Sequence, residues 1–582
     1  MMKIDIMSPS TRQNLVFILI LVTVNLALFL PSMSGDFLWD DVLLITENPA
    51  LHDPQFLSKF LTSPFGGSLG KDENSRRLER VSQFYRPLTS LSYWLDFSVW
   101  GKNPAAFHLT NICLHILNVS LLFYFLSLLG VGPFPSFFGA LLFSFFPLHF
   151  ENVAWISGRT DLLSFLFIAF SCLLLLRYLK TDRSHSLRLS GLFYFFSLLS
   201  KETALFLPAV FLMIFFSRNR RLKILVCEMS PFLIAFAAWF GLRSLSLSSS
   251  GFLLSGRPFG DLFASIGYYV YRLVFPFNLP FTIDADRIFG RTEFLLLGGL
   301  AVVSGVVMLA AFRRNQKKWL TPALLLTGFL LSLLPSVLVI FSEATVSFLA
   351  WRFLYLPSVF FIGGMASLFR QGGKRPAVSI LVLIGLLALY GMELYPKNRA
   401  FGSSEKEFWT GIKKYDRENI LARFNIAQFS LSENEEKSLE IFNSILSRSD
   451  HFLYTRFKTR IHEELAAFYT FNGRPDEAKR YFDELLRTGP NMSQHFYVTY
   501  ASYLALTDRP EEGRNIIDRL LSLFPENHLI LLHAAKFYII LQDYDRALEL
   551  LTRDFALFPT EEIKGLLEQV RRVKDKHPGP VI

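Results

Sequence analysis

The chain has 582 residues, 51% apolar and 19% charged, with a formal net charge of +10. That composition excludes a single ordinary soluble domain. Its 62 phenylalanines fall in runs rather than in period-two alternation, which excludes a membrane barrel in favour of helices in lipid. The positive charge does not indicate nucleic acid, because residues 1–400 carry 34 basic and 21 acidic side chains while 401–582 carry 25 and 28.

Apolar runs of spanning length are predicted at 15–31, 109–130, 135–150, 162–179, 188–200, 203–217, 222–243, 294–312, 320–341, 348–369 and 377–395. The stretch 260–280 is interrupted by Arg272, Pro276 and Pro280 and reads as re-entrant or interfacial. Basic clusters occur at 177–188, 218–223, 313–318 and 370–375. With Lys3 and Arg12 inside, eleven crossings place all four clusters in the cytoplasm and everything after about residue 396 outside. The first run is expected to stay as an anchored helix rather than be cleaved at Ser32-Met33-Ser34. Cys113, Cys172 and Cys227 all fall inside runs, so the outer regions have no disulfide framework or thiolate metal site.

Polar residues cluster where the runs stop. Beyond the first comes Trp39-Asp40-Asp41-Val42, two adjacent carboxylates that raise one another's pKa in a half-wet site and suit a general base with an acidic partner. They open a long outer loop, 33–105, that also holds Asp36, Asn48, Asp53 and Tyr85-Arg86-Pro87-Leu88. Arg86, held by its proline, could grip a phosphate bidentately. In the next run His108, Asn111 and His115 lie at i, i+3 and i+7 with Asn118 following. That face favours interhelical hydrogen bonds over a metal site. The third run ends in Pro147-Leu148-His149-Phe150-Glu151-Asn152-Val153-Ala154-Trp155, followed by Gly158-Arg159-Thr160-Asp161, where an Arg159–Asp161 ion pair is the plain structural reading. Lys201-Glu202 sits at another junction, and Arg352-Phe353-Leu354-Tyr355-Leu356-Pro357 at a later one.

After residue 400 amphipathic helices of ordinary charge take over. Ala478, Gly513 and Ala547 recur at steps of 35 and 34, Tyr469, Tyr503 and Tyr538 at 34 and 35, and Pro490, Pro525 and Pro559 likewise. Small residues where helices cross, with aromatics and a terminating proline, indicate about four tetratricopeptide repeats. The expected architecture is all-α: a polytopic domain over 1–400 and a repeat solenoid over 401–582.

Taken in order, W-D-D, Y-R-P-L-T, F-H-L-x-N-x-x-L-H-x-x-N, P-L-H-F-E-N-V-A-W-I-S-G-R-T-D-L-L, L-S-K-E and R-F-L-Y-L-P-S resemble the transmembrane and tetratricopeptide repeat-containing O-mannosyltransferases and their bacterial relatives. That family belongs to the GT-C group, which uses polyprenyl-phosphate sugars. The resemblance implies displacement at an anomeric carbon, with Asp40 or Asp41 as base and Arg86, Arg159, Lys201 and Arg352 as candidates to hold the leaving phosphate. His108, Asn111, His149, Glu151, Asp161, Glu202 and Tyr355 would line the substrate pocket. The resemblance implies mannose or a similar hexose as the sugar; Phe146 stands where the family often has His and Trp351 where it often has Glu, departures that put an identical donor pocket, and with it mannose itself, in question. No metal ligand set is assigned, and a divalent-ion requirement stays open. The acceptor is a protein hydroxyl or a lipid-linked glycan. The rival reading is a non-enzymatic scaffold or transporter whose repeats recruit partners.

Overall fold

Proline in the first turn starts several of the helices and an Asn or Ser cap starts others, since proline's missing N–H is unneeded there and the polar side chain satisfies a free amide. Thus α1 (Thr11–Phe29) is followed by α2 (Pro87–Trp100), α3 (Pro104–Leu128) and α4 (Pro133–Phe145), and the Asn103 side chain accepts from the Ala105 amide at the start of α3. The computed structural model describes residues 11–46, 48, 51, 56–62, 65, 84–218, 221–247, 257–283, 285–341, 349–371, 376–417, 419–447, 454–487, 494–525, 527–557 and 561–576. Lys3, Asp53, Pro490, Pro559 and parts of the 218–223 and 370–375 clusters lie outside these residues. Among the described residues there is no strand.

Pro147 breaks the third run. Phe146 before it is extended (φ −62°, ψ 116°), and the chain resumes as a short 3-10 turn and α5 (Phe150–Ala154), bent by 52° from α4. Then come α6 (Arg159–Thr181), α7 (Ser184–Ser200), α8 (Leu207–Phe216), α9 (Leu222–Ser246), α10 (Gly260–Val274), α11 (Thr292–Arg314), α12 (Gln316–Val337), α13 (Ser358–Gln371) and α14 (Pro376–Phe401). A last helix of this part, α15 (Glu405–Tyr415), opens with a capping box between Ser404 and Glu407.

The expected count of eleven spans is not reproduced. Seven helices among the described residues are long and apolar enough to cross a membrane, or eight if the bent pair is one span. Three expected runs are shorter helices: α7 has 17 residues, α8 has 10 and α13 has 14. Each is bounded by a polar motif that trims the apolar length: α7 ends at Lys201-Glu202, α8 begins after it, and α13 begins after the Arg352 segment. The protein is nonetheless a multi-pass membrane protein. Segment 260–280 forms the amphipathic α10, too short to span, and a non-helical stretch. A Cβ on Gly267 would lie 1.9 Å from the Phe294 carbonyl oxygen, and one on Gly298 1.9 Å from that of Phe263, so only glycines allow α10 and α11 to cross there.

The chain divides into two compact units, one chiefly of residues up to Asp416 and the other chiefly of residues from Arg417 on. The second is a tetratricopeptide-type solenoid of helical hairpins: α16 (Ile420–Ser430) with α17 (Glu435–Leu446), α18 (Tyr454–Phe471) with α19 (Pro475–Arg487), α20 (Gln494–Leu506) with α21 (Pro510–Leu523), and α22 (His528–Ile540) with α23 (Tyr544–Leu557). It ends in α24 (Glu561–Lys576). The repeated small residues sit where the helices cross: Ala478 and Ala547 are fully buried, and a Cβ on Gly513 would lie 2.6 Å from the Ala501 carbonyl oxygen.

Candidate active site

The acid pair follows a 3-10 turn, Leu30–Ser34, that ends α1. Trp39 has φ 58°, in the left-handed region, where a bulky residue costs about 1–3 kcal/mol and persists only if its surroundings over-determine it. They do: its ring stacks on Trp155 (centroids 5.5 Å apart, 23° between planes) and meets the edge of Trp409 at 5.7 Å, while Trp155 Nε1 donates to the Leu38 carbonyl at 3.1 Å.

The two carboxylates that follow have different environments. Asp41 is fully buried; one oxygen accepts from the Leu38 amide at 3.1 Å and the other from the Ser157 amide at 2.8 Å and from the Ser157 hydroxyl. Burial pushes its pKa up to about 7, against the pull of the Ser157 and Leu38 hydrogen bonds. Asp40 is partly exposed, and among the described residues nothing hydrogen-bonds its carboxylate. Burial raises its pKa, and the positive charges of Arg352 and Arg86 pull it back.

The four cations separate by how fully they are used. Arg159, wholly buried, pairs with Asp96 at 2.7 Å, donates to Asn111 Oδ1 at 2.8 Å and to the carbonyls of Phe107 (2.9 Å) and Ser92 (3.3 Å), and lies over the Tyr93 ring. Its donors are spent on protein, and its carboxylate partner is Asp96 rather than the expected Asp161. Asp161 pairs instead with Lys201 at 2.6 Å, leaving its second oxygen without a hydrogen bond. Burial lowers the pKa of Lys201, opposed by Asp161. Arg86 grips Glu202 with two N–H groups, at 2.6 and 3.2 Å, between the rings of Phe84 and Phe65. Burial would raise Glu202, but Arg86 overrides it and holds the carboxyl at about 2. The bidentate grip expected of Arg86 on a phosphate is thus made on Glu202.

Arg352 is the least committed. Its backbone is pinned, with the amide donating to Glu151 Oε2 at 2.8 Å and the carbonyl accepting from Asn152 at 3.1 Å. Trp351 Nε1 donates to the Pro280 carbonyl at 2.7 Å, and the Tyr269 hydroxyl bridges the amide and carbonyl of Ala350. The stretch after α10 and α10 itself therefore buttress this arginine. Its guanidinium sits 5.1 Å from the Trp155 ring centre; Nη1 reaches Glu151 only at 3.7 Å and has no hydrogen-bond partner among the described residues. Glycine at 158 lets α5 and α6 turn this tightly, since a Cβ there would lie 2.4 Å from the Glu151 carbonyl oxygen.

The expected pocket residues His108, Asn111, His149 and Tyr355 are buried. His149 uses both ring nitrogens, on the Phe143 carbonyl (2.9 Å) and the Ser358 hydroxyl (3.0 Å). The Tyr355 hydroxyl bonds His115 at 2.8 Å and Asn118 at 3.2 Å, and Asn111 donates to the carbonyls of Trp155 and Ile156. The buried His108 has its ring beside the Ala154 backbone. Sequence reasoning missed Ser157, Asp96, Trp155 and Trp409. Asp96 had one signal: it is the only charged residue in α2.

No family model matches the chain. Among curated proteins it is similar to protein O-mannosyl-transferase F38B6.6 of Caenorhabditis elegans, 27% identical over 371 residues that cover 61% of this chain and 51% of that protein. Human protein O-mannosyl-transferase TMTC1 is 28% identical over 478 residues, 70% of this chain and 52% of that one. Human protein O-mannosyl-transferase TMTC2 is 33% identical over 169 residues, 29% and 19% respectively. The chain thus spans about half the length of these relatives or less. The solved structure of yeast Tom70 aligns at 13% identity with a TM-score of 0.22, over 79% of this chain and 96% of that one, too loosely to support an argument. The resemblance read from the ordered motifs holds: the curated relatives are protein O-mannosyl-transferases.

Proposed function

We propose that the protein is a membrane glycosyltransferase that moves mannose or a similar hexose from a polyprenyl-phosphate donor to a Ser or Thr hydroxyl of an exported protein, on the non-cytoplasmic face. The observation that carries this reading is a carboxylate, Asp40, that accepts no hydrogen bond from the described residues and lies within the field of Arg352, whose backbone is pinned and whose Nη1 has no hydrogen-bond partner among those residues. Asp40 takes the acceptor hydroxyl proton as that oxygen bonds to the anomeric carbon. The bond from that carbon to the phosphate oxygen breaks, and its electron pair leaves with the polyprenyl phosphate. Arg352 stabilises the charge developing there, the electrostatic contribution that usually dominates. The paired Arg86 and Lys201 add positive potential, and Asp41 anchors the motif through Ser157. The repeat unit is assigned to holding the acceptor polypeptide. A lipid-linked glycan acceptor is the second reading, and the names of the curated relatives favour protein.

Asp40→Asn keeps shape and removes the base. In the purified full chain, supplied with polyprenyl-phosphate mannose and exported protein as acceptor, turnover should fall by about 10²–10⁴-fold with donor binding unchanged. Full activity of Asp40→Asn would reject this role. Mass spectrometry of exported proteins from cells with and without the gene identifies the sugar and the acceptor.

A further inference from the structure

Helix α15 follows the last span, and by composition it reads as the start of the repeat region. Its Trp409 instead belongs to the first unit and is fully buried against Trp39. We propose that Trp409 is a positioning residue for the acid pair, holding Trp39 in its left-handed conformation and thereby aiming Asp40. The catalytic part of this inference rests on the reading of Asp40 as base.

Trp39 is held from two sides. The face of Trp155 also serves Arg352, whose guanidinium lies over it, so removing Trp155 would disturb base and cation together. Trp409 meets Trp39 edge-on and belongs to a separately fixed element. Its Nε1 donates to Glu405 Oε1 at 3.3 Å, its ring packs on Phe408, and Phe408 packs on Phe401 at 4.9 Å and Phe281 at 6.0 Å. The chain just before α15 also fastens the segment leading to the acid pair. Asn398 donates to the Leu28 carbonyl at 2.9 Å and the Ser34 hydroxyl to the Gly402 carbonyl at 2.8 Å, and a Cβ on Gly35 would lie 2.0 Å from the Phe401 carbonyl oxygen. One stretch, 398–409, therefore clamps residues 28–39 along their length. A residue forced into left-handed backbone relaxes when a clamp goes, and the next residue in the chain moves with it.

The test compares Trp409→Ala and Trp409→Phe with the parent as full chains in lipid nanodiscs. Amide hydrogen exchange, read by mass spectrometry, reports the turn in which the Asp41 amide donates to Leu38 and the Val42 amide to Trp39. Exchange there should speed by about tenfold in Trp409→Ala and return close to the parent in Trp409→Phe. With a short-chain isoprenyl-phosphate mannose as donor, kcat should fall by about 10²-fold in the alanine variant, as misplaced reacting groups do, while KM changes little. Trp409→Phe should recover most of kcat. Unchanged exchange in a folded Trp409→Ala overturns the proposal whatever the activity, and so does unchanged kcat. If the alanine variant fails to fold, Trp409→Leu against Trp409→Phe makes the same comparison. Full activity of Asp40→Asn would remove the catalytic reading alone, and the exchange measurement would still decide whether Trp409 holds the turn.

Discussion

On the proposed mechanism, adjacent carboxylates with opposite surroundings divide one motif between chemistry and support. Asp41 spends both oxygens on Leu38 and Ser157, while Asp40 keeps its lone pairs. This division was not legible in the sequence, because the partner that distinguishes them lies 116 residues away. The charge of Arg352 pulls down a carboxyl that burial raises, so the acid limb of the rate profile depends on it. As pH rises through the Asp40 pKa the base is released and turnover increases; the limb should lie above the ordinary carboxylate range. Arg352→Gln deletes the charge and should move the limb to higher pH as well as weaken donor binding. Arg352→Lys keeps the charge and loses the planar guanidinium, so it should weaken donor binding with the limb in place. Donor affinity and a kcat–pH profile of both variants check this; equal donor affinity in both and the parent would make Arg352 structural.

Among the elements, the helix junctions were readable as places where chemistry gathers, but their cross-pairings were not. Arg159 and Asp161 are neighbours in sequence and look like an ion pair, yet on α6 their side chains diverge. Arg159 turns to Asp96 on α2 and Asp161 to Lys201 after α7. Tertiary partners outbid the local one because the local pair would leave the buried Lys201 and the half-buried Asp96 without a counter-charge. Arg159→Met keeps the volume and strands Asp96. Breaking a buried pair this way costs about 3–5 kcal/mol, so the variant should show a clear drop in folded yield and melting temperature in detergent. Arg159→Met combined with Asp96→Leu should recover much of the loss. A single variant as stable as the parent would show that the pair is dispensable. Pro147, by contrast, was a local signal that carried through, since its missing N–H ends α4 whatever surrounds it.

At the scale of the whole molecule, hydropathy marked where the chain is apolar but overcounted the helices long enough to span, because runs such as 203–217 are cut by 3-10 turns at their polar ends. The charge pattern remains the stronger guide to sidedness. The loops at 177–188 and 313–318 are basic, and the positive-inside rule puts them in the cytoplasm. On the proposed function the repeat unit lies on the other side, which requires the short α13 to cross along with α12 and α14. Exposed positions give a direct test. With Cys113, Cys172 and Cys227 changed to alanine, a cysteine at Ser522 in α21 should react with an impermeant maleimide in intact cells or spheroplasts, and one at Thr181 at the end of α6 should react only after lysis. Labelling of Ser522→Cys confined to lysed membranes would mean an even number of crossings. The repeats would then face the cytoplasm, and no exported polypeptide could reach them.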